Sequence, residues 1–198
     1  MAVTFSNTNK PLNPRGNDAS PLAYNRAALY SGKALSFDGV NDSVQCDNLD
    51  TLSTSDFSIC YAAKFEQSGD NWAVVQGGTG TNNAIITGRQ AGNVIRFAFF
   101  GNDLDAPINE TPQLNEWCWL AFTYNRTTKA RKIYINGILA AEDISSANPN
   151  PVANDFQISS YSSLSGYYNN QVSNAKVFNT ALTAAQIADL YNNPEKIV

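Results

Sequence analysis

The chain has 198 residues, 43% of them hydrophobic and 11% aromatic, which is enough apolar material for one packed domain and too much for a disordered chain. Charged residues make up only 15%, against roughly 25% in an average soluble domain, so 25 Asn and 30 Ser plus Thr must carry the polar surface. A net charge of −4 with no histidine excludes a phosphate-neutralising nucleic-acid surface, a Ser-His-Asp triad and an imidazole-built zinc site, and no apolar run is long enough to span a membrane.

Residues 1–33 stand apart. They hold Pro11, Pro14 and Pro21, many Asn and no sustained periodicity, and read as an extended arm with a turn of helix at Tyr24–Tyr30. Two readings stay open: a lead-in that packs on its own domain or is disordered, and an arm that docks on a neighbouring subunit. The first residues lack the apolar core of a signal peptide, so synthesis in a cytoplasm is expected.

From Ala34 the pattern becomes β. Ala34–Phe37 and Ser43–Cys46 flank the turn Asp38-Gly39-Val40-Asn41-Asp42. In Ser55–Phe65 the residues Phe57, Ile59, Tyr61, Ala63 and Phe65 fall on one face, a period of two. Trp72–Gln76 and Ala84–Gly88 are short strands around a Gly-rich turn, and Asn93–Phe100 puts Ile95, Phe97 and Phe99 on one face. Trp117–Tyr124 is apolar on both faces and reads as a central, doubly covered strand in which Trp117 and Trp119 share a face. Asn136-Gly137 joins Arg131–Ile135 to Ile138–Ala141 in a hairpin, and Phe156–Ser160 and Val172–Phe178 complete the strands. Thr183-Ala184-Ala185-Gln186 reads as a capping box opening a helix that ends before Pro194 and is expected to cover one end of a sandwich. Cys46, Cys60 and Cys118 read as buried free thiols, with one disulfide plus a spare thiol as the alternative.

The order of these pieces resembles the laminin-G-like jellyroll domains of the concanavalin A-like lectin/glucanase superfamily. The resemblance rests on Ala34–Val44 with its acidic turn, Asp56-Phe57-Ser58-Ile59, Glu116–Tyr124, Lys132-Ile133-Tyr134-Ile135-Asn136-Gly137, and Val172–Leu182 followed by the closing helix. It implies an all-β, two-sheet antiparallel jellyroll over residues 34–198, with one short C-terminal helix and the arm of residues 1–33 in front. The fold carries lectins, enzymes and structural modules alike, so function has to be argued from sites.

Calcium is the one cofactor the resemblance brings up. Asp38, Asn41 and Asp42 supply oxygens in one turn, and the family often adds acidic residues near the last strand, where this chain has Ser173 and Asn174. The competing reading is an Asp-Gly turn in which Asp38 caps backbone N–H groups. For a sugar, the segment Tyr161–Gln171 is the richest cluster, with Tyr161, Tyr167, Tyr168, Asn169, Asn170 and Gln171 read as one loop. Asp103 and Asp105, read as a neighbouring loop, and Trp72 would form its rim; the same tyrosines suit a protein partner or a plain core plug at Tyr168. The Glu-x-Asp-x-x-Glu strand of the family's glucanases is missing, and Glu142 and Asp143 are adjacent and should diverge in a strand, so no catalytic residue is assigned.

The combined expectation is a non-catalytic structural or decoration protein of a bacteriophage virion. It would contact other virion proteins or copies of itself through the arm and also bind surface glycans. The alternatives are a carbohydrate-binding module of a secreted or cell-surface protein and, third, a glycan-cleaving enzyme.

Overall fold

The computed structural model describes residues 34–47, 49–108, 113–151, 155–161 and 164–194, and the arm with its turn at Tyr24–Tyr30 lies outside them. In chain order the described strands are β1 (Leu35–Asp38), β2 (Val44–Cys46), β3 (Phe57–Phe65), β4 (Asn71–Gly77), β5 (Ala84–Gln90), β6 (Val94–Ala98), β7 (Asp103–Pro107) and β8 (Trp117–Tyr124). They continue as β9 (Ala130–Ile135), β10 (Ile138–Ile144), β11 (Phe156–Ile158), β12 (Ser160–Tyr161), β13 (Gly166–Tyr167) and β14 (Asn169–Phe178). A single turn of helix, α1 (Thr51–Thr54), precedes β3, and α2 (Ala184–Asn192) closes the described chain.

Two antiparallel six-stranded sheets face each other. The first runs β1-β14-β3-β8-β9-β10 and the second β2-β11-β4-β5-β6-β7, with β12-β13 as a separate pair. Alternation decides what lies between them. Ile59, Tyr61, Ala63 and Phe65 of β3, with Leu120, Phe122 and Tyr124 of β8, point inward and meet Ile85, Ile95, Phe97 and Leu104 of the second sheet. Phe97, Phe99, Phe122 and Tyr124 pack edge to face at ring-centroid distances of 5.1–5.5 Å, each pair adding about 0.5–1.5 kcal/mol to its area burial.

The opposite-parity residues of the first sheet are apolar too, because α2 lies on that sheet's outer face. Ile187 and Leu190 pack on Cys60, Ala62, Trp119, Ala121 and Tyr134, and Tyr191 sits 5.9 Å from the Trp119 ring. The helix therefore covers a sheet face and not an end of the sandwich. The expected capping box forms: Thr183 Oγ1 accepts from Gln186 N at 3.3 Å, while Thr183 N donates to Gln186 Oε1 at 2.9 Å.

The second sheet has a cover of its own. Tyr161 and Tyr168 lie over its outer face, against Trp72, Val75, Ala84, Ile86 and Ala98. All three cysteines are free; Cys60 and Cys118 are buried, whereas Cys46 is exposed on β2.

Candidate functional site

A cleft on the outer face of the second sheet lies beside this second cover. Its position follows from local backbone events. The β4–β5 ladder slips between Trp72 and Val74, so Ala73 and Val74 both join the core while Trp72 and Val75 face outward. Opposite Trp72 stands Gly88, where a Cβ would meet Asn71 O at 2.5 Å and Trp72 Cα at 2.8 Å. The missing side chain lets the two backbones close up at the bulge, and the bulge sets the tryptophan on the outer face.

On β6 the inward residues are Ile95 and Phe97, so Arg96 and Ala98 point outward; on β7, Leu104 and Ala106 point inward and Asp103 and Asp105 outward. Asp103 and Asp105 are thus strand residues and not a loop rim, because Leu104 and Ala106 are drawn into the core at period two. Arg96 stands opposite Asp105 in register. Its Nε and Nη2 donate to both Asp105 oxygens at 2.7 and 2.8 Å, and its Nη1 lies 3.1 Å from Asp103 Oδ2. The hydrogen bond to Asp105, helped by the charge of Asp103, raises the pKa of the guanidinium against the opposing effect of burial.

The cleft has a volume of about 220 Å³. Trp72, Ile86, Ala98 and Phe100 form its apolar floor, Tyr161 and Leu164 its wall, and Asp70, Gln90, Arg96 and Asp103 its polar side. Leu164 is 53% exposed and stands at the mouth, whereas Tyr161 is fully buried and donates its hydroxyl to Gly78 O at 2.6 Å. Burial pushes the Tyr161 phenol up to about 12, so it stays neutral at physiological pH. Asp70 Oδ1 accepts from Ala91 N at 3.1 Å, which fixes that carboxylate at the cleft edge.

Of the residues singled out in the sequence, Tyr161, Trp72 and Asp103 are brought together here, with Asp105 behind Arg96. The rest of Tyr161–Gln171 is not one loop. It spans β12, β13 and the start of β14, so its side chains separate. Tyr168 turns into the outer cover, and Tyr167 is exposed on β13. Asn170 is buried between the sheets, donating to Asn71 Oδ1 at 2.7 Å and Trp72 O at 3.3 Å. Asn169 hands its backbone oxygen to Asn71 Nδ2 at 2.7 Å, and Gln171 donates to Glu66 Oε1 at 2.8 Å. Arg96, Gln90, Phe100 and Asp70 were not singled out. The alternation around Arg96 was visible; its meeting with Asp70, 26 positions away, was not.

The structure does not bring the four residues proposed for calcium into one place. Asp38 Oδ1 accepts from Val40 N at 2.8 Å, the turn-capping role, and Asn41 and Asp42 are exposed beside it. Asp38 pairs in register with Asn169, which places Asn174 five residues further along β14, roughly 16 Å away at about 3.3 Å per residue. A bulge between Ser173 and Lys176 separates Asn174 from the regular ladder. Among the described residues no three acidic or cysteine side chains gather in a way that could hold a metal ion. Glu142 and Asp143 diverge as expected, toward Lys132 at 2.7 Å and Arg131 at 2.6 Å.

No curated protein matches the chain in sequence. Solved structures share its fold. A native heptameric SAP-like pentraxin from Limulus polyphemus superposes with a TM-score of 0.59 at 11% identity, over 80% of this chain and 81% of that one. The binding domain of botulinum neurotoxin serotype G gives 0.62 at 13% identity, over 83% of this chain and 43% of that one. A Bacteroides ovatus protein described as a candidate carbohydrate-binding protein gives 0.59 at 18% identity, over 78% of this chain and 47% of that one. The chain spans most of the pentraxin but less than half of the other two. A family profile described as "Concanavalin A-like lectin/glucanases superfamily" matches residues 38–188, well over half of the sequence, and the chain belongs to that superfamily.

Proposed function

We propose that the protein is a non-catalytic carbohydrate-binding module whose site is the cleft over β4–β7. The observation that carries this reading is the meeting of aromatic and aliphatic surface (Trp72, Phe100, Leu164) with hydrogen-bonding groups (Asp70, Gln90, Asp103) in one concavity. A sugar has apolar C–H faces and a rim of hydroxyls, so it is bound by that combination. The volume of about 220 Å³ lies below the roughly 300–1,000 Å³ of drug-sized pockets and suits one sugar unit, the end of a glycan rather than a long stretch of chain. The fold shared with the Bacteroides ovatus candidate carbohydrate-binding protein supports the same reading.

Catalysis lacks support. A glycosidase needs one carboxylic acid and one carboxylate across the scissile bond. Here Asp103 is tied to Arg96 and Asp70 accepts a backbone N–H. The proposed setting is a virion, with residues 1–33 docking on other virion proteins or on further copies of the chain. Its support is compositional: a low-charge surface rich in Asn, Ser and Thr.

The test is a glycan panel with the full chain, followed by calorimetry and an assay for reducing-end release. Binding without sugar release is expected, indifferent to EDTA, and Leu164→Asp should weaken it about tenfold by placing a charge at the mouth. No binding, or binding untouched by Leu164→Asp, would overturn the site. Removal of residues 1–30 should leave glycan binding intact and abolish attachment to particles; a shortened chain that still attaches would overturn the arm.

A further inference from the structure

The cleft holds a cation, yet that cation is already occupied. Among the described residues Arg96 is the one basic side chain lining it, and its Nε, Nη1 and Nη2 all face carboxylates, at 2.7 Å and 2.8 Å to Asp105 and 3.1 Å to Asp103. The lining carries two carboxylates, Asp70 and Asp103, against this single guanidinium, a net of −1, and Asp105 on the far edge of Arg96 brings the neighbourhood to −2. Asp70 and Asp103 keep carboxylate oxygens beside a space floored by Trp72, Ile86 and Ala98.

From this we infer, resting on the reading of the cleft as a glycan site, that it is selective for uncharged sugars and rejects sugars carrying a carboxylate, such as sialic or uronic acids. A guanidinium free to make a two-pronged contact is the strongest partner a side chain offers to a sugar carboxylate. Here that geometry is spent inside the protein, through cross-strand pairing of β6 with β7. A sugar carboxylate entering the cleft would meet Asp70 and Asp103 without a partner, an arrangement that discriminates by repulsion. Neutral hydroxyls face the opposite situation, because carboxylates and the Gln90 amide are acceptors and donors for them.

The experiment is a competition on the full chain between neutral-terminated oligosaccharides (glucose, galactose, mannose, N-acetylhexosamine) and matched ones ending in sialic or glucuronic acid, read by calorimetry at low and at physiological salt. Neutral ligands should bind at least about tenfold more tightly than acidic ones, with the gap narrowing as salt rises. Asp103→Asn together with Asp105→Asn should release Arg96 and shift preference toward the acidic set, while circular dichroism confirms the fold. Equal or tighter binding of acidic glycans by the unaltered chain overturns the selectivity and leaves the glycan site standing. Silence toward both sets overturns the glycan site itself and the selectivity with it.

Discussion

Arg131 shows how one residue can join two sheets. It is 1% exposed, on β9, and its guanidinium makes a two-pronged pair with Asp143 at 2.9 and 2.6 Å. The same group crosses to the second sheet, donating to Asn102 O at 2.7 Å and lying 4.8 Å above the Phe99 ring. A buried charge is tolerated because each of its donors has an acceptor. Arg131→Met keeps the apolar stem but strands the acceptors on Asn102 and Asp143. It should cost about 3 kcal/mol, measured by urea unfolding. A loss below about 1 kcal/mol would mean that water replaces the guanidinium without penalty.

At the scale of elements, packing outweighs local capping. The Thr183 box and the apolar spacing Ile187, Leu190 and Tyr191 were legible in the sequence, since both are rules about neighbours in the chain. The face the helix covers was not, because nothing local tells an end of a sandwich from the outside of a sheet. The clue was the second apolar face of β3 and β8, Cys60, Ala62, Trp119 and Ala121, which needs a cover. Thr183→Ala should therefore cost about 1 kcal/mol, and Ile187→Ala, which opens a void against that face, about 3 kcal/mol. Equal losses in thermal unfolding would contradict a helix held mainly by its packing. The strand β7 was missed for a related reason. Asp103-Leu104-Asp105-Ala106 alternates, but its acidic residues read as turn until Arg96 on the neighbouring strand gives them a partner.

At the scale of the whole molecule, four layers are stacked: helix, sheet, sheet, and the β12–β13 cover. This stacking buries ionisable groups that have no use for water. Desolvation pushes the Cys60 thiol up to about 12 from an ordinary 9.0, and the Tyr161 phenol up to about 12 from 10.0; Tyr61 is raised as well. In the unfolded chain these groups ionise at their ordinary values. Above about pH 9 the unfolded state sheds protons that the folded state keeps, so stability falls as pH rises toward 12, by about 1.4 kcal/mol per pH unit per group. Unfolding midpoints should be flat from pH 7 to 8.5 and decline from pH 9 upward, and Cys60→Ala should flatten the first part of that decline. Stability unchanged to pH 11 would show that these groups reach solvent in the folded protein.

What the sequence by itself determined is whatever period and turn chemistry encode: most of the strands, the Asn136-Gly137 hairpin, the capped helix, and the family through the order of those pieces. Side-chain alternation and capping act over a few residues, so they are written locally. Tertiary structure alone decided which of the tyrosines, amides and carboxylates meet. Tyr161, Trp72 and Asp103 converge because a bulge beside Gly88 turns one tryptophan outward and because β12 folds back over β4 and β5. Tyr167, Tyr168, Asn169 and Asn170, neighbours in sequence, part because successive residues in extended chain point to opposite sides. Asn174 is likewise separated from Asp38 by the register of β1 on β14. Convergence depends on pairing between segments tens of residues apart, and that register is set by how the two sheets bury their apolar faces.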